Sequence, residues 1–175
     1  MHKITRLHLY LGASVLVFSV LFSVVKLGEQ VSISSNSVKA TSATANLTLN
    51  FVSPDKISLM LTADKPVAGI DAVISFDKNK IMVLPSTLKG SNVFTSSGGV
   101  VDKNEGNLSF AAIASKPEVT SGIVATFNVS PKQGKNIEKT SLILLTGINQ
   151  TNVIEKNSGE KMLLKVSNVE FSLNP

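Results

Sequence analysis

Beyond residue 44 the chain alternates apolar and polar side chains at nearly every second position. The segment NLTLNF places Leu47, Leu49 and Phe51 on one face, and KISLMLTA repeats the pattern. A period of two is that of a β-strand with one buried side, and no helical period persists. About nine such segments, separated by Gly, Pro, Asn and Asp turns, predict an all-β fold: an antiparallel jelly-roll β-sandwich of about nine strands.

The most regular of these segments is VAGIDAVISF, residues 67–76. It ends in an aromatic-acid pair, and a polar KNK break then separates it from the apolar IMVL. Its alternation predicts that Ile70, Ala72, Ile74 and Phe76 point into the core. A strand of this regularity has a well-defined register, so its opposite side chains are predicted to face outward.

Later segments are less uniform. IVATFNV is predicted to turn Ile123, Ala125, Phe127 and Val129 inward. The segment SNVFTSSGGVVD is weak and Gly-rich, which predicts a bent or bulged strand. We interpret NQTNVIEKNSGEK as a hairpin-like excursion and LLKVSNVEFSL as the closing strand.

The first 27 residues have a different character. An apolar run occupies residues 9–25, with Lys3 and Arg6 before it and Lys26 after it. As a helix this run spans about 26 Å, close to the hydrocarbon thickness of a bilayer. The basic residues before it favour a cytoplasmic N-terminus. We therefore predict a membrane helix or signal peptide over residues 1–27.

The pattern favours a retained signal-anchor over a cleaved signal peptide. An Ala-x-Ala sequence at residues 43–45 lies about twenty residues past the apolar run, farther than a signal peptidase site usually lies. Residues 28–44 are rich in Ser and Thr and predict a flexible linker. Both interpretations export residues 45–175, either tethered to the cell membrane or secreted.

The formal net charge of +5 belongs partly to the N-terminal segment. Three of the 17 basic residues and none of the 12 acidic residues lie before residue 28. The remaining charges are mixed along the chain without a basic block, so the sequence does not indicate nucleic-acid binding. The chain has no Cys, so it has no disulfide framework.

Residues 45–175 offer few groups for catalysis. Both His lie in the first eight positions and Cys is absent, which excludes Ser-His-Asp and Cys-His catalysis and the usual zinc and haem ligands there. The carboxylates Asp71, Asp77, Asp102 and Glu105 leave a paired-carboxylate mechanism formally open. Since Asp77 and Asp102 occupy turn-forming positions, we predict no enzymatic activity and no cofactor.

The DKNEGN segment, residues 102–107, has the composition of a calcium loop but not its spacing. The EF-hand pattern places oxygen ligands at alternate positions and Gly at the sixth. Here Gly106 stands at the fifth position, where a ligand is required. We predict a plain turn and no metal site.

The aromatic residues argue against a sugar-binding surface. Residues 45–175 contain Phe but neither Trp nor Tyr, whereas carbohydrate platforms use exposed Trp or Tyr rings. Five of the Phe lie in apolar positions of strong strands and are assigned to the core. Phe94 lies in the weak strand, where it is either buried or exposed. Carbohydrate binding is therefore disfavoured.

The ordered set of segments resembles the cohesin domain family. VAGIDAVISFDKNKIMVL is similar to the third and fourth strands of these domains, with their alternating strand, aromatic-Asp pair and short polar break. NEGNLSFAAIA resembles their glycine turn and following strand. VTSGIVATFNVSPKQGKN and TSLILLTGI resemble two later strands. The resemblance covers residues 45–173 and implies a nine-stranded sandwich that binds protein without catalysis.

The resemblance also implies a binding face. Cohesins bind dockerin modules, which fold around calcium, through outward residues of the third, fifth, sixth and eighth strands. On the third strand the outward set is Asp71, Val73, Ser75 and Asp77. Asp71 matches an outward acidic position of the family, whereas Gly69 stands where these domains often offer a hydrogen-bonding side chain.

Alternation extends this candidate partner site to two further strands. It assigns Ser109 and Ala111 to the outward side of the sixth strand, and Ile143 and Leu145 to that of the eighth. The opposite register is the alternative for both pairs. The apolar members of the set have a second interpretation, in which they only cover the outer side of the sheet.

The predicted function is that of an exported, membrane-tethered, cohesin-like module that binds a protein partner at the cell surface. The partner is a dockerin-bearing protein or another surface protein. The first alternative is a carbohydrate-binding module of the same sandwich class. The second is a structural surface subunit that self-associates through its edge strands.

Overall fold

The computed structural model describes residues 43–134 and 136–174. Within these ranges the regular structure consists of twelve strands and one short 3-10 turn at Lys132–Gly134. The strands are β1 (Thr44–Ser53), β2 (Lys56–Ala63), β3 (Val67–Phe76), β4 (Ile81–Gly90), β5 (Phe94–Ser96), β6 (Val100–Asp102), β7 (Asn107–Ala114), β8 (Ser121–Pro131), β9 (Ile137–Leu144), β10 (Asn152–Glu155), β11 (Leu163–Ser167) and β12 (Val169–Leu173).

These strands form two sheets. Sheet A has the order β11-β1-β2-β8-β4. Sheet B has the order β12-β9-β3-β7-β5, and β10 pairs with β3 while β6 pairs with β7. Because each strand has one apolar side, the two sheets bury those sides against each other. The predicted all-β sandwich is confirmed.

A single hydrophobic cluster lies between the sheets and draws on both of them. Leu59 of β2 and Ile74 of β3 are fully buried, as alternation predicts. Phe51 of β1 stacks on Phe171 of β12 with ring centroids 4.9 Å apart, which joins the first and last strands across the sandwich. Each fully buried side chain of this size stabilises the fold by about 1.5–3 kcal/mol.

The strand count exceeds the prediction because three segments are divided or extended. The Gly-rich segment divides into β5 and β6 at Gly98 and Gly99. A Cβ on Gly99 would lie 2.9 Å from Leu108 Cδ1, so a larger residue there would have to displace this buried side chain. The closing segment divides at Asn168, whose side chain accepts a hydrogen bond from Leu144 N at 2.9 Å. The predicted excursion contains β10, which pairs with β3.

One strand pair departs from the predicted antiparallel arrangement. β11 runs parallel to β1, with Thr44 opposite Leu163. Met162, just before β11, donates its backbone N–H to Val153 O in β10. Leu163, the first residue of β11, donates its backbone N–H to Ala43 O at 2.9 Å. The chain therefore enters sheet A beside the start of β1 and must follow it in the same direction.

The predicted inward set of β8 contains one error. Phe127 and Val129 are buried as expected, but Ile123 is exposed and Val124 is buried in its place. A β-bulge opposite Leu59 causes the change, because the extra residue places two successive side chains of β8 inside.

Two local predictions are resolved by the fold. Phe94 is fully buried, so it belongs to the core. Residues 102–106 form the predicted turn, in which Asp102 Oδ1 accepts hydrogen bonds from Asn104 N at 2.8 Å and Glu105 N at 3.1 Å. Gly106 completes the turn at φ 71°, a conformation that favours glycine.

The predicted membrane helix of residues 1–27 lies outside the described residues, as does nearly all of the predicted linker, residues 28–44. In the part of the chain that the structure describes, no helix is long and apolar enough to cross a membrane. Residues 41–175 form one compact unit. Since this unit contains the whole hydrophobic cluster, we expect it to fold by itself.

We expect Phe94→Ala to lower the free energy of unfolding of residues 41–175 by about 3–5 kcal/mol, because it leaves a cavity beneath a short strand. Chemical denaturation followed by circular dichroism measures the change. Val52→Ala, at a position 59% exposed, is the control and should change the value by less than about 0.5 kcal/mol. Equal effects of the two substitutions would contradict the burial of Phe94.

Candidate functional site

The outer side of sheet B is built on β3. The even-numbered residues of this strand from position 70 onward point into the core, so Asp71, Val73 and Ser75 lie on the outer side. Asp71 is exposed, and the other two are half-buried. Asp77 does not join this row. It lies beyond the end of β3, where its Oδ1 accepts a hydrogen bond from Asn79 N at 2.9 Å.

Pairing with β7 adds the next two predicted residues. Asp71 lies opposite Ala111, and Val73 lies opposite Ser109. Leu108 and Phe110, which alternate with them, are buried. Ser109 and Ala111 therefore lie on the outer side together with Asp71, Val73 and Ser75, as predicted, and the alternative register is wrong for this pair.

Pairing with β9 adds the remaining predicted residues. Ser75 lies opposite Ile143, which is exposed on the outer side. Leu145 follows the end of β9 and donates its backbone N–H to Val73 O at 2.9 Å. The structure thus brings seven of the eight predicted residues onto one continuous surface, and their role in binding stays a prediction.

A groove of about 500 Å³ crosses this surface. Asp71, Val73 and Ser109 lie along its floor. Residues around the β5–β6 connection form one side: Ser97, Gly98 and Val100. Residues that lead into β10 form the other side: Asn149, Gln150 and Asn152. Lys161 lies at the margin.

The side next to β7 is held by one serine. Ser97 Oγ accepts a hydrogen bond from Ala111 N at 2.9 Å and lies 3.2 Å from Ala111 O. Ser97 N also donates to Ala111 O at 2.8 Å. These contacts attach the β5–β6 connection to β7, and they leave Val100 exposed beside the groove.

The side next to β3 depends on Thr151. This residue is buried, and its Oγ1 accepts from Val73 N at 3.1 Å and donates to Val73 O at 3.3 Å. Thr151 N donates to Leu145 O at 3.0 Å. The side chain thus takes the place of a strand partner where the edge of β3 passes from β9 to β10.

This arrangement makes residues 146–150 project as a loop. Asn149 has φ 60°, a left-handed conformation that Asn tolerates. Ile148 at the tip of the loop is 93% exposed. An isoleucine exposed to this degree beside a groove is a candidate contact residue.

Sequence reasoning missed the loop and the sides of the groove. The interpretation of residues 149–161 as an excursion hid the strand β10, because its four residues are too few to show a period. In the structure Thr151, Val153 and Glu155 are all buried, but Thr and Glu are polar, so the sequence shows no apolar period there. Val100 was missed because two glycines separate it from β5, and they interrupt the alternation of the segment.

The charges of the groove are sparse. Asp71 and Lys161 are its charged lining residues. In the described ranges the ion pairs are Lys65–Glu155 at 3.7 Å and Lys139–Glu170 at 2.9 Å, so neither lining charge is paired there. The surface combines apolar side chains with one acid and one base that are available to a partner.

Comparison with known proteins finds similarity in structure but not in sequence. No protein-family model and no curated protein matches the sequence. The cohesin of a type I cohesin–dockerin complex from Clostridium thermocellum aligns with TM-score 0.52 and 10% identity, over 75% of this chain and 93% of that chain.

Two further cohesins align over similar lengths. A non-cellulosomal cohesin from the archaeon Archaeoglobus fulgidus has TM-score 0.57 and 9% identity, over 75% of this chain and 92% of its own. A type II cohesin domain from the cellulosome of Acetivibrio cellulolyticus has TM-score 0.54 and 14% identity, over 76% of this chain and 95% of its own. The predicted resemblance is confirmed, and the described domain has a cohesin-like fold.

Proposed function

We propose that residues 43–174 form a non-catalytic protein-binding module that binds a dockerin-like partner on the outer side of sheet B. The observation that carries this proposal is the groove over β3 and β7, with exposed apolar side chains around an acid and a base. Several of the similar cohesins were solved in complexes with dockerins, which supports a partner of this kind.

The dimensions of the groove suit one α-helix. Its two sides stand on β10 and β6, which are separated by β3 and β7. Three strand spacings amount to about 14 Å, and an α-helix with its side chains is about 10–12 Å across. An amphipathic helix laid in the groove would bury its apolar face against Val73 and the exposed residues of the two sides.

The surface also has the composition of a protein-binding site. Val100, Ile113, Ile143 and Ile148 are exposed on sheet B or on the loops beside it. Burial of such side chains at the centre of an interface provides most of its affinity, while charges such as Asp71 set orientation and partner choice.

The described residues contain no cluster of three or more His, Asp or Glu that could hold a metal ion. The Phe rings of the described residues are buried or stacked in the core, so none of these rings is free to stack on a sugar. Both observations support a binding role over catalysis or carbohydrate recognition.

We further propose that residues 1–27 tether the module to the cell membrane and that it acts outside the cell.

The first test is a pull-down with residues 41–175 from an extract of the source organism, with calcium and then with a chelator. We expect a dockerin-bearing protein that is recovered in calcium and lost with chelator, because dockerins fold around calcium. A partner that is retained in chelator would contradict dockerin recognition. Recovery of the domain itself or of polysaccharide would favour one of the two alternatives.

Two isoleucines on opposite sheets test which face binds. Ile143 on sheet B is 43% exposed and Ile123 on sheet A is 41% exposed. We expect Ile143→Asp to weaken partner binding by about thirtyfold or more, since it places a charge in an apolar interface, and Ile123→Asp to leave it unchanged. Isothermal titration calorimetry measures both, and equal losses would contradict the proposed face.

The projecting loop gives an independent test. We expect Ile148→Ala to weaken partner binding by about five- to tenfold while changing the free energy of unfolding by less than about 0.5 kcal/mol, because the side chain makes no core contact. Val52→Ala, an exposed position on sheet A, is the matched control for binding. Unchanged affinity in the Ile148 variant would remove the loop from the interface.

A further inference from the structure

A second cleft lies at the margin of the sandwich, where the edge strands β4 and β6 end the two sheets. We call it the seam, and its volume is about 680 Å³. Ile81, Val83 and Pro85 line it from β4, and Val101 lines it from β6. Among the described strands, β4 pairs only with β8 and β6 pairs only with β7, so each leaves one edge unpaired beside the seam.

The seam is separate from the groove on sheet B. Along β6 successive side chains point to opposite sides, so Val100 borders the groove whereas Val101 lines the seam. A substitution in the seam can therefore be made without changing the proposed partner surface.

Apolar packing adjoins one end of the seam, at Pro85. A Cβ on Gly99 would lie 3.3 Å from Leu88 Cδ2 and 3.7 Å from Pro85 Cβ. The backbone thus approaches these two side chains closely at that end. The seam residues near this end, Val83, Leu84 and Pro85, are apolar.

The other end is positively charged. Lys78, Lys103 and Lys132 reach it from three different loops. Lys132 Nζ donates to Lys78 O at 3.1 Å, and Lys78 Nζ donates to Asn104 O. A Cβ on Gly106 would lie 3.5 Å from Lys78 Cβ, so the lysine stem packs on the turn.

These lysines have capacity for an anion. Each ammonium has three donors, and the observed hydrogen bonds use one donor each of Lys78 and Lys132. None of the three forms an ion pair with the described residues. Asp77 and Asp102 adjoin two of these lysines in sequence, and their carboxylates accept backbone N–H groups of their own turns. Glu105 follows in the second of these turns.

The backbone at the seam is unsuited to an added peptide strand. Pro85 has no N–H, and Leu84 O already accepts a hydrogen bond from Thr87 Oγ1 at 2.6 Å. A peptide would have to bury amide groups beside side chains that offer no partner, which is costly. A hydrocarbon tail has no such requirement.

We propose that the seam binds an aliphatic carboxylate, with its tail between Val83 and Val101 and its head at the three lysines. The three lysines at one end and the apolar lining of the rest match the head and the tail of such a molecule. The proposal does not depend on the function proposed for sheet B.

The test uses isotope-labelled residues 41–175 and decanoate below its micelle concentration, followed by amide chemical shifts. We expect saturable shifts at Val83, Val101 and Lys103. Affinity should rise by about fourfold for each methylene from hexanoate to decanoate, since each one buries apolar surface. Decyltrimethylammonium, with the same tail and the opposite charge, should not bind there.

Charge reversal supplies the matched comparison. We expect Lys103→Glu with Lys132→Glu to weaken decanoate binding by about tenfold, and Lys116→Glu with Lys165→Glu, which changes the net charge equally at exposed positions elsewhere, to leave it unchanged. Equal losses in the two double variants would overturn the proposal. Affinity that is independent of tail length, or equal binding of the cation, would overturn it as well.

Discussion

The fixed register of β3 is the constraint on which the rest of the domain depends. Its inward side chains pack into the centre of the core, and Ile74 is fully buried there. A slip of one residue would exchange the two sides of the strand and place Asp71 and Ser75 in the core. The burial of a few apolar side chains therefore determines which polar side chains lie in the groove. The same register aligns β7 and β9, and so brings Ser109 and Ile143 into line with β3.

The groove has sides because the pairing along one edge of β3 is interrupted. A continuous strand beside β3 would give a flat surface, but here β9 ends and β10 begins only after a loop. The backbone of Val73 falls in this gap, where an unsatisfied buried N–H would cost about 1–3 kcal/mol. The hydroxyl of Thr151 satisfies the Val73 N–H and donates a second hydrogen bond to Val73 O, which also accepts from Leu145 N. One buried side chain thus stabilises the gap and allows the loop carrying Ile148 to project.

Local periodicity was sufficient to predict the longer strands and the floor of the site, since a period of two indicates which side chains share a face. It was insufficient wherever the answer depends on a distant partner. The exchange of Ile123 for Val124 comes from a bulge opposite Leu59, and the parallel course of β11 comes from its contact with Ala43. No nearby residue carries either signal. The sides of the groove were missed for the same reason, because Ser97 and Thr151 act through hydrogen bonds to strands far along the chain.

The three lysines of the seam have a second physical interpretation, in which they protect exposed edge strands from pairing with other chains. Proteins use edge lysines and prolines for that purpose, and Pro85 fits it well. Protective lysines, however, stand on the edge strand itself. Lys78 comes instead from the loop before β4, Lys132 from the 3-10 turn after β8, and Lys103 follows β6. They converge on the end of an apolar cleft, and backbone carbonyls fix two of them there. Convergence of cations at one end of a cleft serves an anionic ligand, whereas protection of an edge requires only their distribution along it.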